Sequence, residues 1–335
     1  MNTKILATVG PASLEKIKKL QEKGASRFRL NLSHGDVDFH KNAIRKIKEI
    51  GNPNEVVLDT KGPDIRTGDT DGEIKILKGE EYFLIFSDKK EKIFSDDKKI
   101  FHGFKKFSET VEIGDKIIID DGKIVLTVSE KGENLKAIAK NSGTITSRRH
   151  INLPGKHIDL PILTKSDEEI LKMGISEGID AVAVSFVRNK EDILEVRKIV
   201  GQNIKIIAKI ENLEGLQNID EIIGFSDEIM VARGDLGIKV HFYQLPLVQK
   251  SIVKKCNRTL TPVIIATQML MSMTENTTPT RAEVFDVSSA VSMGANTVML
   301  SDETASGRHP EKAVNVMRKI CEFAEKSEDF FLEID

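Results

Sequence analysis

The stretch K-I-L-A-T-V-G-P-A-S-L-E-K-I-K-K-L-Q-E-K-G-A-S-R-F-R-L-N-L-S-H-G spans residues 4–35 and sets the pattern of most of the chain. The apolar run at its start, Lys4–Thr8, predicts a buried strand, and a second run, Phe28–Asn31, predicts another. Between these runs Leu14, Ile17 and Leu20 recur at the spacing of one helix face. The stretch therefore predicts a strand–helix–strand unit.

Six further apolar runs repeat this unit along the chain. The eight runs are Lys4–Thr8, Phe28–Asn31, Val56–Asp59, Ala181–Ser185, Ile204–Lys209, Ile229–Ala232, Val263–Thr267 and Thr297–Leu300. Eight strand–helix repeats are typical of a parallel (β/α)₈ barrel of about 250 residues, whereas a doubly wound sheet more often has about five or six strands. The sequence therefore predicts an α/β fold of the TIM-barrel type.

A proline-free window interrupts the repeats. No proline lies between Pro63 and Pro154, although nine prolines are scattered through the chain. Within the window, Glu81–Phe86 and Lys123–Ser129 have the composition of strands, and Asp120-Asp121-Gly122 is a hairpin signal. The window therefore predicts a small antiparallel β module.

This module divides the barrel into two segments. We predict that residues 1–62 and 158–335 form the catalytic barrel, and that residues 63–157 form a β-barrel-like lid domain inserted after strand three. Because barrel active sites lie at the C-terminal ends of the strands, the inserted domain would lie over the mouth of the barrel.

The composition excludes several classes of protein. The chain has 335 residues, and its 50 Lys and Arg nearly balance its 52 Asp and Glu, giving a net charge of -2. This balance gives no general reason to expect nucleic acid or a membrane surface as partner. Cys256 and Cys321 lie in apolar helical patterns and are expected to be buried, reduced thiols. The sequence shows no signal peptide and no apolar run of about 18 residues, which predicts a cytoplasmic protein.

Charged side chains cluster where the predicted strands end. Arg29 and Lys209 lie in the end regions of strands two and five, Arg66 follows strand three, and Glu211 and Asp235 follow strands five and six. Phosphoryl transfer needs this mixture, because cations neutralise the phosphoryl oxygens and carboxylates hold a divalent metal. Mg²⁺ typically takes one or two carboxylates together with waters and substrate oxygens. Since the chain has no Gly-rich phosphate-binding loop, side chains and a metal would bind the phosphates instead.

Each of these residues also has a purely structural explanation. Arg29, taken alone, is more readily explained as one partner of a strand-end ion pair, and Glu211 and Asp235 have the residue type of helix N-caps. His34, taken alone, is more often a hydrogen-bonded loop histidine than a catalyst. The structural explanation weakens because all eight predicted strands end in such residues at one rim.

The motifs at these strand ends resemble those of the pyruvate kinase family. They are T-V-G-P-A-S (8–13), R-L-N-L-S-H-G (29–35), D-T-K-G-P-D-I-R-T-G (59–68), N-L-P-G (152–155), K-I-E-N (209–212), A-R-G-D-L-G (232–237), A-T-Q-M-L (266–270), P-T-R-A-E (279–283) and L-S-D-E-T-A (300–305). They appear in the family's order from about residue 4 to residue 325. The resemblance implies phosphoryl transfer from phosphoenolpyruvate to ADP in glycolysis, giving pyruvate and ATP.

The resemblance also implies roles for single residues. Those implied to act in catalysis are Lys209, Arg29, Arg66, Thr267 and Ser301. The substrate would be bound by Arg29, Lys209, the backbone N–H groups of Gly234 and Asp235, and the Thr267 hydroxyl. Thr267 with a bound water is the leading candidate for the group that protonates the enolate, with Ser301 and Glu303 nearby.

Nucleotide and metal sites are implied in the same way. The nucleotide would be bordered by Pro11, Asn31, His34, Arg66 and Arg149. Mg²⁺ or Mn²⁺ would be held by Glu211 and Asp235, and K⁺ by Asn31, Ser33, Asp59 and the Thr60 carbonyl. The expected partners are phosphoenolpyruvate, ADP or ATP and pyruvate, with no nucleic acid and no membrane, and a homo-oligomer formed through the barrel.

Several positions depart from the family pattern. Leu32 replaces a usual Phe, Phe39 a usual Tyr and Arg149 a usual Lys, which keeps apolar character or charge. Asp64 stands where potassium-dependent members have Glu, and Asp302 replaces a usual Gly beside the expected proton relay. Family members generally continue into a C-terminal effector domain, and we expect that domain to be absent here.

Two other functions compete with the kinase. A metal-dependent lyase acting on pyruvate or enolate adducts would use the same barrel and carboxylates, but it would need no nucleotide site. A non-catalytic sensor of phosphoenolpyruvate or nucleotide would keep the binding groups and lose turnover. A pyruvate assay that requires both ADP and Mg²⁺ separates the three.

Overall fold

The protein consists of two compact units, which are Met1–Gly62 with Ile162–Asp335, and Pro63–Pro161. A computed structural model describes residues 3–51, 54–63, 65–87, 92–93, 98–120, 122–154, 156 and 160–326. The expected return of the chain to the barrel at residue 158 falls at 157–159, outside the described residues. Within the described ranges, no helix combines the length and apolar character needed to cross a membrane.

The first unit is a closed barrel of eight parallel strands, as predicted. The strands are β1 (Lys4–Thr8), β2 (Arg27–Asn31), β3 (Glu55–Asp59), β4 (Ala181–Val184), β5 (Lys205–Ile210), β6 (Glu228–Ala232), β7 (Val263–Ala266) and β8 (Thr297–Leu300). Neighbours in sequence pair in parallel, and β8 closes the ring by pairing with β1 through Lys4 and Thr297. The observed bounds lie within one residue of the predicted runs, because each run is the buried part of its strand.

The interior of the barrel is layered because alternate residues of a strand point to the same side. The middle of the interior is an apolar cluster of Leu6, Val57, Ala181, Ala183, Ile207, Met230, Ile264, Ala266 and Met299. Asp59 and Lys209 lie on the same faces, two positions beyond Val57 and Ile207, and Arg29 lies on β2 two positions beyond Arg27. The strand periodicity therefore places these charges together above an apolar floor.

A second ionic layer lies at the N-terminal ends of the strands. Arg27 is 2% exposed, and its guanidinium lies 2.7 Å from Glu228 Oε2 and 2.8 Å from Glu55 Oε2. Lys205 Nζ lies 2.8 Å from Glu55 Oε1 and 3.7 Å from Glu228 Oε1. The base of the barrel is therefore held by a buried charge network.

Helices cover the outside of the barrel. They are Ile17–Glu22, Val37–Glu49, Lys165–Ser176, Lys190–Val200, Leu213–Gln217, Ile219–Phe225, Arg233–Lys239, Leu245–Thr259, Arg281–Ser292, Asp302–Ala305 and Pro310–Glu325, with short 3₁₀ turns at Leu14–Lys16 and Met271–Thr274. Their apolar faces pack against the outward-facing strand residues, as Ile44 and Ile47 do. Cys256 and Cys321 are buried free thiols in two of these helices, as predicted.

The start of the helix Lys165–Ser176 corrects one prediction. The sequence Ser166-Asp167-Glu168-Glu169 by itself predicts a capping box with Ser166 as the N-cap. The N-cap is instead Thr164, whose side chain accepts from Asp167 N–H, while the Asp167 side chain accepts from Thr164 N–H. The box therefore begins two residues earlier, because Thr-x-x-Asp satisfies the same reciprocal bonds.

The second unit is built mainly of short strands. Its six-stranded sheet has the spatial order Ile151–Asn152, Lys116–Ile119, Ile124–Lys131, Leu135–Ala139, Glu81–Phe86 and Lys99–His102. The first five strands pair antiparallel, as predicted, and the Ile119–Ile124 pair with the Lys123 N–H to Asp120 carbonyl bond of 3.0 Å forms the expected hairpin.

Three features of this unit differ from the expected antiparallel β-barrel. The pair Glu81–Phe86 and Lys99–His102 is parallel, as is the small pair Asp69–Thr70 with Lys92–Ile93. The described strands form an open sheet and two separate pairs, and a helix, Lys105–Thr110, lies among them. Parallel pairing requires a crossover where the alternation pattern suggested only hairpins.

Candidate active site

A buried ion network lies at the C-terminal ends of β2, β3 and β5. Arg29 Nε lies 2.5 Å from Asp59 Oδ2, and Lys209 Nζ lies 2.9 Å from Asp59 Oδ1 and 3.0 Å from Glu211 Oε1. Asp59 and Glu211 are buried, and Lys209 is only 8% exposed. The structure therefore brings together four of the charged residues that the sequence singled out.

Charge pairing keeps Asp59 and Lys209 ionised. Burial alone would raise the pKa of Asp59, but the charges of Arg29 and Lys209 lower it below its usual range. Burial disfavours the Lys209 ammonium, yet Asp59 and Glu211 raise its pKa above the ordinary value. Lys209 is therefore a fixed positive charge at neutral pH, as a group that stabilises a phosphoryl group must be.

Glu211 lacks enough positive charge nearby. Burial raises the pKa of Glu211 to about 7, Lys209 opposes this rise, and Asp235 and Asp59 add to it. Its second oxygen accepts the Phe186 N–H at 2.7 Å, and Phe186 has a left-handed backbone conformation with φ of 59°. The negative charge of Asp235 acts on Glu211, and two carboxylates that repel each other suit a divalent metal such as Mg²⁺, which prefers oxygen ligands.

The described residues contain no larger metal cluster. No group of three or more His, Cys, Asp or Glu side chains in the described ranges has the arrangement of a metal site. Mg²⁺ is commonly bound by one or two carboxylates and otherwise by waters and phosphates, so Glu211 and Asp235 are sufficient. The donor set therefore fits the divalent ion that the sequence predicted.

Ser185 is a member of the network that the sequence did not assign. Its hydroxyl accepts from Lys209 Nζ at 2.7 Å and donates to the Thr60 carbonyl at 2.6 Å. The Ser185 N–H in turn donates to the Thr60 hydroxyl at 3.0 Å. Ser185 was recognised only as the last residue of the predicted strand Ala181–Ser185, whereas its position on the inward face two residues beyond Ala183 was the available signal.

The ends of β6 and β7 meet at Thr267. The Gly234 N–H, expected to bind a substrate carboxylate, donates to the Thr267 hydroxyl at 2.9 Å. Thr267 and Gln268 are consecutive residues with left-handed backbone, with φ of 69° and 54°. Such strain in non-glycine residues costs on the order of 1–3 kcal/mol each and persists only where neighbouring groups impose it.

Arg233 contacts the strained Thr267 backbone, and the sequence assigned it no role. Its Nη2 and Nε donate to the Thr267 carbonyl at 2.5 and 3.2 Å, and its Nη1 donates to both oxygens of Asp286 at 2.8 and 2.7 Å. Arg233 is 7% exposed, so these bonds are largely shielded from water. The motif A-R-G-D-L-G contained the residue, but its partner lies 53 positions further along the chain.

The end of β2 and the loop after it hold Asn31, Ser33 and His34, which are expected at the nucleotide and monovalent-cation sites. Asn31 lies opposite Asp59 in the β2–β3 register, and its side-chain oxygen accepts the Ser33 N–H at 3.1 Å. His34 N–H donates to the Asn31 carbonyl at 3.2 Å, which closes the turn and leaves His34 exposed. Oxygens of Asn31, Asp59 and Thr60 each accept a hydrogen bond here. Each such oxygen has a further lone pair, so the set offers the oxygen ligands that K⁺ needs.

Two comparisons with known proteins match these features. The family model "Pyruvate kinase, barrel domain" matches residues 1–314. A "Pyruvate kinase" of Agaricus bisporus is 43% identical over 336 residues, covering 96% of this chain and 63% of that protein. The chain belongs to the pyruvate kinase family.

Other pyruvate kinases give the same result. One of Debaryomyces hansenii is 42% identical over 337 residues, covering 96% of this chain and 67% of its own length. One of Staphylococcus saprophyticus is 43% identical over 343 residues, covering 98% of this chain and 58% of its own length. The chain thus spans roughly three fifths to two thirds of the length of these pyruvate kinases.

The end of β8 contains the main departure from the pyruvate kinase pattern. Asp302 is exposed, while Glu303 is buried and accepts from the Ser301 N–H at 2.7 Å and the Leu270 N–H at 3.0 Å. Burial raises the pKa of Glu303. The Ser301 hydroxyl oxygen is buried and makes no hydrogen bond within the described part of the chain.

The remaining expected site residues lie elsewhere in the pyruvate kinase fold. Pro11 is exposed in the turn after β1. Arg66 and Arg149 belong to the second unit, where Arg66 Nη1 donates to the Arg148 carbonyl at 3.0 Å and Arg149 Nη1 lies 3.5 Å from Asp120 Oδ1. Asp64, the position linked to potassium dependence, is outside the described residues.

Proposed function

We propose that this protein transfers the phosphoryl group of phosphoenolpyruvate to ADP, giving pyruvate and ATP. The observation that carries the proposal is the buried Lys209 ammonium, held between Asp59 and Glu211 at the rim of a barrel of the pyruvate kinase family. Such a charge stabilises the negative charge of a phosphoryl group in transfer, and the excluded water strengthens the effect.

In the proposed reaction the enol oxygen–phosphorus bond breaks while a terminal phosphate oxygen of ADP bonds to the phosphorus. Lys209 and Arg29 neutralise the phosphoryl oxygens, and the enolate left behind takes up one proton at carbon to become pyruvate. Mg²⁺ or Mn²⁺, held by Glu211 and Asp235, would neutralise phosphate charge and align the reacting oxygens. The proton would come through Thr267, with Ser301 and Glu303 as the neighbouring polar groups.

The other residue assignments follow from the same proposal. Lys209, Arg29 and Thr267, with the backbone of Gly234 and Asp235, bind phosphoenolpyruvate. The nucleotide is bordered by Pro11, Asn31, His34, Arg66 and Arg149, and K⁺ is bound by Asn31, Ser33, Asp59 and Thr60. We also propose that residues 63–157 act as a lid domain and that the protein works in the cytoplasm.

A homo-oligomer through the barrel is part of the proposal. Large apolar side chains are exposed near the helix Leu245–Thr259 and on the helix Arg281–Ser292, with Phe242 84% and Phe285 74% exposed. Exposed aromatic side chains of this size favour burial against a partner. Sedimentation velocity tests this part, and a monomer at micromolar concentration would contradict it.

A coupled pyruvate assay tests the main proposal. Pyruvate formation from phosphoenolpyruvate should require both ADP and Mg²⁺ and should produce one ATP for each pyruvate. Pyruvate released without ADP would indicate a lyase instead, and binding of phosphoenolpyruvate without turnover would indicate a sensor. The variant Glu211→Gln should raise the Mg²⁺ concentration required for half-maximal rate, because it removes one ligand charge.

A further inference from the structure

Asp167 is a buried carboxylate with no assigned role in the reaction. It is 1% exposed and occupies the third position of the helix Lys165–Ser176, where it forms the capping box with Thr164. Its oxygens also accept the Lys61 N–H at 2.8 Å and the Gly62 N–H at 3.3 Å. A capping box needs only the bonds with Thr164, so the bonds to the segment after β3 call for a separate explanation.

The bond to Lys61 fixes the direction of a neighbouring carbonyl. The Lys61 N–H and the Thr60 C=O belong to one planar peptide unit and point in opposite directions in the trans form. Because Asp167 holds the N–H on one side, the Thr60 carbonyl must point to the other side. Gly62 follows with φ of 68°, and a Cβ there would lie 2.9 Å from Ser185 Cβ, so the segment is tightly packed.

The Thr60 carbonyl leads directly to Lys209. It accepts the Ser185 hydroxyl at 2.6 Å, and that hydroxyl accepts from Lys209 Nζ at 2.7 Å. Asp167 is thus connected to the Lys209 ammonium through one peptide unit and one side chain. All members of this path are buried except Lys61, whose contribution is only its backbone.

We propose that Asp167 is a positioning residue that orients the Thr60–Lys61 peptide and, through Ser185, the Lys209 ammonium. Since the Thr60 carbonyl is also a proposed ligand of K⁺, Asp167 fixes that ligand as well. The inference rests on the proposed kinase function. Lys209 retains Asp59 and Glu211 without Asp167, but its third partner becomes free to move with the peptide.

The variants Asp167→Asn and Thr164→Val separate positioning from capping. Asn keeps one acceptor oxygen but turns an NH₂ group toward the N–H donors of the 60–62 segment or of Thr164. Val removes the Thr164 hydroxyl from the cap and leaves the carboxylate of Asp167 in place. Thr164→Val should lower the unfolding temperature and keep the wild-type kcat, whereas Asp167→Asn should lower kcat about tenfold or more.

A second measurement does not depend on turnover. K⁺ binding to the folded protein raises the unfolding temperature by mass action. The unfolding temperature is measured in KCl and in tetramethylammonium chloride at equal ionic strength. We expect the increase in KCl to be smaller in Asp167→Asn than in wild type and in Thr164→Val. Equal losses of kcat and equal K⁺-dependent rises in Asp167→Asn and Thr164→Val would overturn the proposal.

Ser185→Ala keeps the test decisive if Asp167→Asn does not fold. It cuts the path at the hydroxyl and leaves the cap and Asp167 intact, so kcat should fall about as much as in Asp167→Asn. An unchanged kcat in Ser185→Ala would overturn the proposal. If the wild-type protein forms no pyruvate, the proposed function fails, and the K⁺-dependent rise alone decides the role of Asp167.

Discussion

Replacing Lys209 with Met removes the cation at the centre of the ion network while keeping a side chain of similar length. Three contacts are lost, to Asp59 at 2.9 Å, to Glu211 at 3.0 Å and to the Ser185 hydroxyl at 2.7 Å. Breaking a buried ion pair by removing one partner costs about 3–5 kcal/mol, because the remaining charge is buried without compensation.

The structure favours the lower end of that range. Arg29 still pairs with Asp59 at 2.5 Å, and Glu211 still accepts the Phe186 N–H at 2.7 Å. We therefore expect Lys209→Met to lower the free energy of unfolding by about 3 kcal/mol and to leave the protein folded at room temperature. The loss of a charge aimed at the transferred phosphoryl group should lower kcat by at least about 100-fold.

Lys205→Met is the matched control, because Lys205 lies on the same inward face of β5 at the opposite end of the barrel. Its side chain is 48% exposed and pairs with Glu55 at 2.8 Å. Because Lys205 is half exposed and Glu55 keeps its pair with Arg27 at 2.8 Å, the loss should be about 1 kcal/mol, so this variant should be nearly as stable as wild type and equally active. Urea unfolding and the coupled pyruvate assay measure both quantities, and a Lys209→Met kcat within tenfold of wild type would refute the catalytic role.

Three further changes test other parts of the structure. Arg233→Lys should lower kcat/KM by about tenfold or more in the pyruvate assay. Lys cannot hydrogen-bond Asp286 and the Thr267 carbonyl at the same time, so Thr267 would relax from its strained conformation. A wild-type kcat/KM would contradict this. Arg27→Met should lower the free energy of unfolding in urea by about 3–5 kcal/mol while keeping the wild-type KM, since it removes the cation 2.7 Å from the buried Glu228 and leaves only Lys205 at 3.7 Å; a KM change would place Arg27 in the site. Removing Mg²⁺ with a chelator should abolish pyruvate formation without lowering the unfolding temperature by more than a few degrees, since two carboxylates on a closed barrel do not hold the fold together.

The strands were predictable from the sequence because a strand buried on both faces appears as a continuous run of apolar residues. Lys4–Thr8 and Thr297–Leu300 are predicted and observed with the same bounds, and the other six runs differ by one residue at one or both ends. The cap of the helix Lys165–Ser176 was misplaced because Ser166 and Thr164 both begin acceptable capping boxes. Only the packing of Asp167 against residues 61 and 62 decides between them, and that contact spans more than a hundred positions.

Partners were much less predictable than positions. Lys209, Glu211 and Arg29 were recognised as strand-end charges, but the sequence does not show that Ser185 bridges Lys209 to Thr60. Nor does it show that Arg233 reaches Asp286, because the guanidinium crosses between two strand ends and a helix. Closure of the barrel brings together hydrogen-bond partners that are far apart in sequence, and a local sequence pattern cannot identify such partners.

Strand periodicity nevertheless contains a signal that reaches the site. The pattern Lys205-x-Ile207-x-Lys209 places two cations and one apolar residue on the inward face of β5, and Glu55-x-Val57-x-Asp59 places two anions and one apolar residue on β3. In a closed parallel barrel, residues at equal heights on different strands share a layer, so these patterns pair charges of opposite sign at both ends. The upper layer contains the proposed phosphoryl site and the lower layer contains Arg27 and Glu228. The same alternation of residues therefore produces both the proposed catalytic network and a structural network. The two differ in position, because barrel active sites lie at the C-terminal ends of the strands.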